Sequence, residues 1–211
     1  MRELAGQLVE TVQELYGAGL ITPTGGNVSL RLPSGGSSEF LITPSGMHKG
    51  SLRPEDIIPI DGAGRARTPR PSIETPMHLR IYQLRPTCDA VIHTHAPAAT
   101  LLGLAALPIQ PVTLDAVRFL DTPLVPFRIP GSQELVDAVA AALMGATSAS
   151  PAILLQNHGL VTFGPSLREA ANYALALEEV CRLLLEAQAL GHPLKLISEA
   201  AVAYLREHLL A

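Results

Sequence analysis

Apolar positions along the chain follow two periods. Leu4, Leu8, Val12 and Leu15 recur at helical spacing, so residues 2–16 predict a helix, stopped by Gly17 and Gly19. Val28, Leu30 and Leu32 alternate with Ser29 and Arg31, the pattern of a half-buried strand. Pro33–Ser38 reads as a turn, Phe40–Thr43 as the return strand of a hairpin, and Ile57–Ile60 as a third short strand. Residues 61–72, rich in Gly, Pro and Arg, read as a loop. Ile73, Met77, Ile81 and Leu84 restore the helical period through Arg85. Pro76 is tolerated early in that helix, where its missing N–H has no partner to lose. Ala90–His95 predicts a strand and Pro97–Leu104 a helix, while Val112 and Leu124–Phe127 suggest short strands among prolines. Ser132 is a candidate N-cap for a helix over 133–144. Ala152–Gln156 and Leu160–Phe163 predict two strands flanking Asn157-His158-Gly159. The longest helix runs from near Ser166 to about Leu190, closed by Gly191 and Pro193, and Ser198 caps a last helix to about Leu209.

Helical crossovers thus mix with hairpins. The expected fold is α/β, a three-layer α/β/α arrangement around a mostly antiparallel sheet, with residues 1–211 as a single domain. Composition narrows the classes. With 47% hydrophobic and 16% charged residues, the chain is not of the disordered kind. A formal net charge of −4 offers no basic surface for nucleic acid or acidic lipid. There is no apolar run long enough to span a membrane and no apolar signal core at the start. Cys88 and Cys181 are the only cysteines, too few for a disulfide framework, and a cytoplasmic protein is expected.

The densest chemical signal is His93-Thr94-His95. On a strand, residues i and i+2 share a face, so both imidazoles project together, as two ligands of one Zn²⁺ would. The plainer alternative is a pair of solvated or core-bonded histidines. His158 sits before Gly159, which can take positive φ and reverse the chain sharply; alone it is a turn residue, but with the other two it completes a three-imidazole set. Glu74, at the start of a helix, is a capping charge, or a general base and metal ligand. Thr24-Gly25-Gly26-Asn27, Thr43-Pro44-Ser45-Gly46 and Ser72 offer free N–H groups and short hydroxyl or amide donors that suit a phosphate, or are merely turns. No mononucleotide or dinucleotide glycine fingerprint is present. His48, His192 and His208 read as surface residues, and His78 as a packing or supporting residue rather than a ligand.

Thr24–Ser29, Ile42–Gly46, Pro71–Thr75, His93–His95 and Gln156–Gly159 occur in order and at separations that together resemble the class II aldolase and adducin-type superfamily, most closely its L-fuculose-1-phosphate aldolase branch. The resemblance implies an antiparallel sheet between helices and a homotetramer with active sites at subunit interfaces. It implies one Zn²⁺ per subunit on His93, His95 and His158, with Glu74 as a fourth ligand and catalytic base. It implies a substrate phosphate held by Gly26, Asn27, Ser45, Gly46, Ser72 and the backbone at Ile73. The implied reaction cleaves a sugar 1-phosphate to dihydroxyacetone phosphate and an aldehyde such as L-lactaldehyde. Two positions depart from the aldolase pattern: Ile73 replaces a serine, and Leu114 stands where a tyrosine proton donor is expected, beside Asp115. No lysine stands beside the motifs to form a Schiff base; Lys49, in a loop, is the nearest. The alternatives within the superfamily are methylthioribulose-1-phosphate dehydratase, whose catalytic Glu would lie near Leu114, a sugar-phosphate epimerase, or a decarboxylase of a phosphorylated keto acid. A metal-free adducin-like scaffold is the alternative outside catalysis.

Overall fold

The computed structural model describes residues 1–33, 39–66, 70–145 and 150–208. Its seven strands are β1 (Asn27–Arg31), β2 (Phe40–Ile42), β3 (Ile58–Ile60), β4 (Ala90–Thr94), β5 (Leu124–Val125), β6 (Ala152–Leu155) and β7 (Gly159–Gly164). They form one sheet in the order β3-β2-β1-β4-β7-β6-β5. Every pairing is antiparallel except β5 with β6. Most of the turn predicted over Pro33–Ser38, and Leu209 at the end of the last predicted helix, lie outside the described residues.

Among the described residues, seven α-helices flank the sheet: α1 (Arg2–Gly17), α2 (Thr75–Leu84), α3 (Pro97–Leu104), α4 (Leu114–Phe119), α5 (Gln133–Gly145), α6 (Leu167–Ala189) and α7 (Glu199–His208). One apolar cluster joins α1, α3, α4 and α6 to one sheet face through Leu8, Val12, Leu102, Phe119 and Leu177. A second joins α2 and α5 to the opposite face through Met77, Ile81, Leu135 and Val139. Central strands therefore bury both faces, and β4 reads buried at all five positions. This is why the continuous run Ala90-Val91-Ile92 precedes the histidine pair instead of a strict polar alternation.

Two expectations fail here. Val112 is not in a strand; Thr113 accepts the Ala116 N–H and caps the short helix α4. The proline-spaced apolar residues had suggested a strand because a six-residue helix spans too few turns to show its period. Phe127 also lies beyond β5, which is only two residues long.

Helix α3 leaves β4 almost directly after His95, so its anchoring matters to the site. Glu178 of α6 accepts hydrogen bonds from the Ala98 and Ala99 N–H groups, both 2.9 Å, satisfying the first turn of α3 across the core. Glu178→Ala removes this cap, and we expect a loss of about 1–2 kcal/mol in urea unfolding; an unchanged midpoint would show that the cap carries no stability.

Candidate metal centre

The β1–β4–β7 register sets the site. Asn27 of β1 lies opposite His93 of β4, and His93 and Thr94 pair with Val161 and Leu160 of β7. His93 and His95 emerge at the end of β4, where the β6–β7 connection brings up His158. Ring centroids are 5.0 Å apart for His93 and His95, 4.6 Å for His93 and His158, and 5.4 Å for His95 and His158. Each ring offers a nitrogen within 4.8 Å of the others, close enough to surround one ion at the usual metal–nitrogen distance. The positive φ in this connection belongs to Asn157, at 58°, rather than to Gly159. Gly159 is needed for a different reason: a Cβ there would stand 2.2 Å from the Thr94 carbonyl oxygen.

Three loops close around the histidines. Ser72 N–H donates to the Thr43 carbonyl and Ser45 N–H to the Arg70 carbonyl. Val28 N–H donates to Thr43 Oγ1. Lys49 N–H donates to the Pro23 carbonyl, tying the Thr24–Asn27 loop to the Ser45–Lys49 loop. Together they line a cleft of about 290 Å³ that contains Gly26, Asn27, Ser45, Gly46, Ser72, Ile73, Glu74, His95 and His158. Of the ten predicted site residues only His93 is not on the cleft wall; it is fully buried behind it. Leu114 is 62% exposed at the start of α4 and does not line the cleft.

Glu74 is the N-cap residue of α2, yet its side chain caps nothing in that helix. The carboxylate is buried and turned toward the rings: Oε2 lies 3.4 Å from His93 Nε2, and Oε1 lies 3.7 Å from His158 Nε2. Its firm partner is Asn27, whose Nδ2 donates to Oε2 at 2.8 Å. The capping role is therefore replaced by convergence on the histidines.

The electrostatics test whether a cation fits. Burial, then the neighbouring His95, pushes the His93 pKa down to about 3. Burial, then His93, lowers His158 to about 4 against the opposing pull of Glu74. Burial likewise lowers His95. The rings are neutral at pH 7. His93 Nδ1–H donates to the Leu160 carbonyl at 3.1 Å, which leaves Nε2 as a bare lone pair facing a carboxylate oxygen. Among the described residues, four buried side-chain polar atoms have no hydrogen-bond partner. Three of them are Glu74 Oε1, His93 Nε2 and His158 Nδ1, in this one place. A bare His93 lone pair beside a carboxylate and two further neutral imidazoles fits a metal ion.

Two residues carry more than the sequence signalled. Lys49 is not a plain loop residue: it is buried, and its Nζ donates to the Pro44 and Met47 carbonyls at 3.1 and 3.3 Å from the cleft wall. Desolvation lowers its pKa. Gly25 looked like turn chemistry, but a Cβ there would stand 2.5 Å from both Cε1 and Nδ1 of His95. Both features depend on contacts between distant segments, which no local pattern reports.

A family model described as Class II Aldolase and Adducin N-terminal domain matches residues 6–185. The chain belongs to this class II aldolase and adducin family. Family members of differing activity lie at similar distance. L-fuculose phosphate aldolase of Escherichia coli O6:H1 is 33% identical over 208 residues, covering 97% of this chain and 93% of that protein. Methylthioribulose-1-phosphate dehydratase of Methylococcus capsulatus is 36% identical over 184 residues, covering 82% and 89%. A solved L-fuculose 1-phosphate aldolase superposes with a TM-score of 0.86 at 26% identity, covering 99% of this chain and 97% of that one. The family's α/β fold is thus the fold of this chain. No helix among the described residues is long and apolar enough to cross a membrane.

Two outcomes follow from this geometry. Gly25→Ala drives the His95 ring off its position, so Zn²⁺ affinity should fall about 10- to 100-fold, read by competition with a chromophoric chelator. Equal affinity would remove His95 from the metal set. The second concerns acid. Unfolded imidazoles take up protons near pH 6.5, whereas the buried ones here resist until much lower pH. The unfolded state then binds more protons, so stability falls as pH drops from about 6.5 toward 4. For His78 and His93, both fully buried and held down to about 3, the loss at pH 5 is on the order of 2 kcal/mol each. Urea midpoints of the metal-free chain at pH 7.5 and pH 5 measure it, and a flat profile would contradict neutral burial.

Proposed function

We propose that this chain is a zinc-dependent class II aldolase that cleaves a sugar 1-phosphate, such as L-fuculose 1-phosphate, to dihydroxyacetone phosphate and an aldehyde such as L-lactaldehyde. The observation that carries this reading is the buried Glu74 carboxylate set against the neutral His93 and His158 rings, with His95 beside them. A scaffold has no use for so costly a convergence, which argues against a metal-free adducin-like role.

His93, His95 and His158 would hold the ion, with Glu74 as a fourth ligand when no substrate is bound. A divalent cation there supplies Lewis-acid stabilisation of the negative charge that develops on the substrate's carbonyl side during cleavage. Glu74 acts as the base. It takes the proton from the hydroxyl on the carbon that leaves as aldehyde, while the electron pair of the broken C–C bond passes to the carbon beside the ketone. Glu74 then delivers a proton to that carbon, completing dihydroxyacetone phosphate. Asn27, by donating to Oε2, holds the carboxylate in place for both transfers.

Gly26, Asn27, Ser45, Gly46, Ser72 and the Ile73 N–H form the phosphate subsite. Their cross-bonded loops share one cleft with Glu74, so phosphate binding fixes the reacting carbons beside the base. The buried Lys49 ammonium adds positive charge behind that subsite. The chain is further proposed to act as a homotetramer with sites between subunits. Ile73 on the cleft wall and Ile129 beside the cleft-lining Pro130 are exposed, 62% and 70% respectively, and make an apolar rim suited to a second copy.

The deciding experiment incubates the zinc-loaded chain with dihydroxyacetone phosphate and a panel of aldehydes that includes L-lactaldehyde. A new ketose 1-phosphate is expected, and Glu74→Gln should slow its formation about 100-fold or more while leaving the fold intact. No C–C bond formation with any aldehyde, together with loss of water from methylthioribulose 1-phosphate, would move the assignment to the dehydratase reaction.

A further inference from the structure

Behind Glu74 runs a line of buried hydrogen bonds of which the aldolase reading uses only the first, from Asn27. Asn27 Oδ1 lies 2.6 Å from His78 Nε2. His78 Nδ1 lies 2.7 Å from Ser29 Oγ, which in turn lies 2.8 Å from the Tyr82 hydroxyl. All five side chains are at most 7% exposed, and they come from two elements only, β1 and the start of α2 with its body.

The direction of this line is fixed step by step. A carboxylate only accepts, so Asn27 must turn its Nδ2 to Glu74 and its Oδ1 to His78. His78 Nε2 must then carry a proton. Burial pushes the His78 pKa down to about 3, against the pull of Glu74, so the ring is neutral and Nδ1 has none. Ser29 therefore donates to Nδ1, and its oxygen accepts from the Tyr82 phenol, which burial keeps protonated and which also reaches the Asp89 carbonyl at 3.4 Å. Every donor points toward Glu74. If Nδ1 held the proton instead, Nε2 would be an acceptor, the Asn27 amide would turn over, and its carbonyl would face the carboxylate.

We propose that His78 is a positioning residue for the reaction: backed by Ser29 and Tyr82, it locks the Asn27 amide in the one orientation that donates to Glu74 and so aims the carboxylate. The inference rests on the reading of Glu74 as base, but its first test does not.

The full chain is labelled with ¹⁵N in its histidine rings and measured with and without zinc. The His78 signals should show one tautomer, with the proton on Nε2, in the wild-type chain. Ser29→Ala removes the donor to Nδ1 and should shift them toward a mixture of tautomers. A proton on Nδ1 in the wild-type chain, or no change in Ser29→Ala, overturns the proposal whether or not the chain is an aldolase. The second test uses kcat. His78→Gln places an amide N–H where Nε2–H stood and should stay within about threefold of wild type. His78→Leu keeps comparable bulk without a donor and should lose about 10- to 100-fold in kcat. Equal losses in Gln and Leu variants of matched melting temperature would reduce His78 to a packing residue. If neither the wild type nor any variant forms a C–C bond, the aldolase reading fails and the tautomer measurement alone decides this one.

Discussion

The structure is organised around an unfavourable arrangement: a carboxylate and three neutral imidazoles share a largely buried space at one end of the sheet. Their lone pairs converge, and three of their polar atoms have no partner. In water each group would be solvated. Here burial strips that solvent and keeps the rings unprotonated at neutral pH, so mutual neutralisation by proton sharing is closed off. A divalent cation removes the conflict and exploits it, because ligands already desolvated and aimed need little rearrangement to bind. The remainder of the fold can be understood as what holds these four groups together against their own repulsion.

Two kinds of constraint do that holding. One is backbone register. The antiparallel β1–β4–β7 ladder puts Asn27 opposite His93 and brings the β6–β7 connection, with His158, to the same end. The other is close approach where no side chain fits. The Thr94 carbonyl sits where a Cβ of residue 159 would be, and the His95 ring sits where a Cβ of residue 25 would be. Neither constraint is a favourable contact in the ordinary sense. Each removes an alternative position, which is how a site of tenths-of-ångström tolerance is kept without a rigid cofactor.

The parts legible in the sequence were those with local signatures. The periods of α1, α2, α5 and α6, the hairpin of β1 and β2, and the shared face of His93 and His95 follow from residue spacing alone. The α/β/α layering follows from their order. Helix α4 did not, since six residues give no period, and Phe127 looked like strand because β-propensity does not state where pairing ends. At the site, histidine spacing supplied candidates but not their meeting. His158 lies more than sixty residues from His93 and reaches it only through the β4–β7 pairing. Lys49, Gly25 and the His78 line were illegible for the same reason. Burial of an ammonium, the need for a missing Cβ and the direction of a hydrogen bond are properties of the packed whole.

The arrangement also explains why relatives of differing activity stand equally near this chain. The imidazoles and Glu74 are held by the sheet and by buried partners, so their positions are set by the scaffold. Ile73 on the cleft wall and Ile129 beside the cleft-lining Pro130 stand open to solvent. Substitution there has a small effect on stability, so the rim of the cleft can change while the histidines behind it stay fixed. Overall identity to either relative therefore says little about which reaction is run, because it is dominated by the scaffold both share.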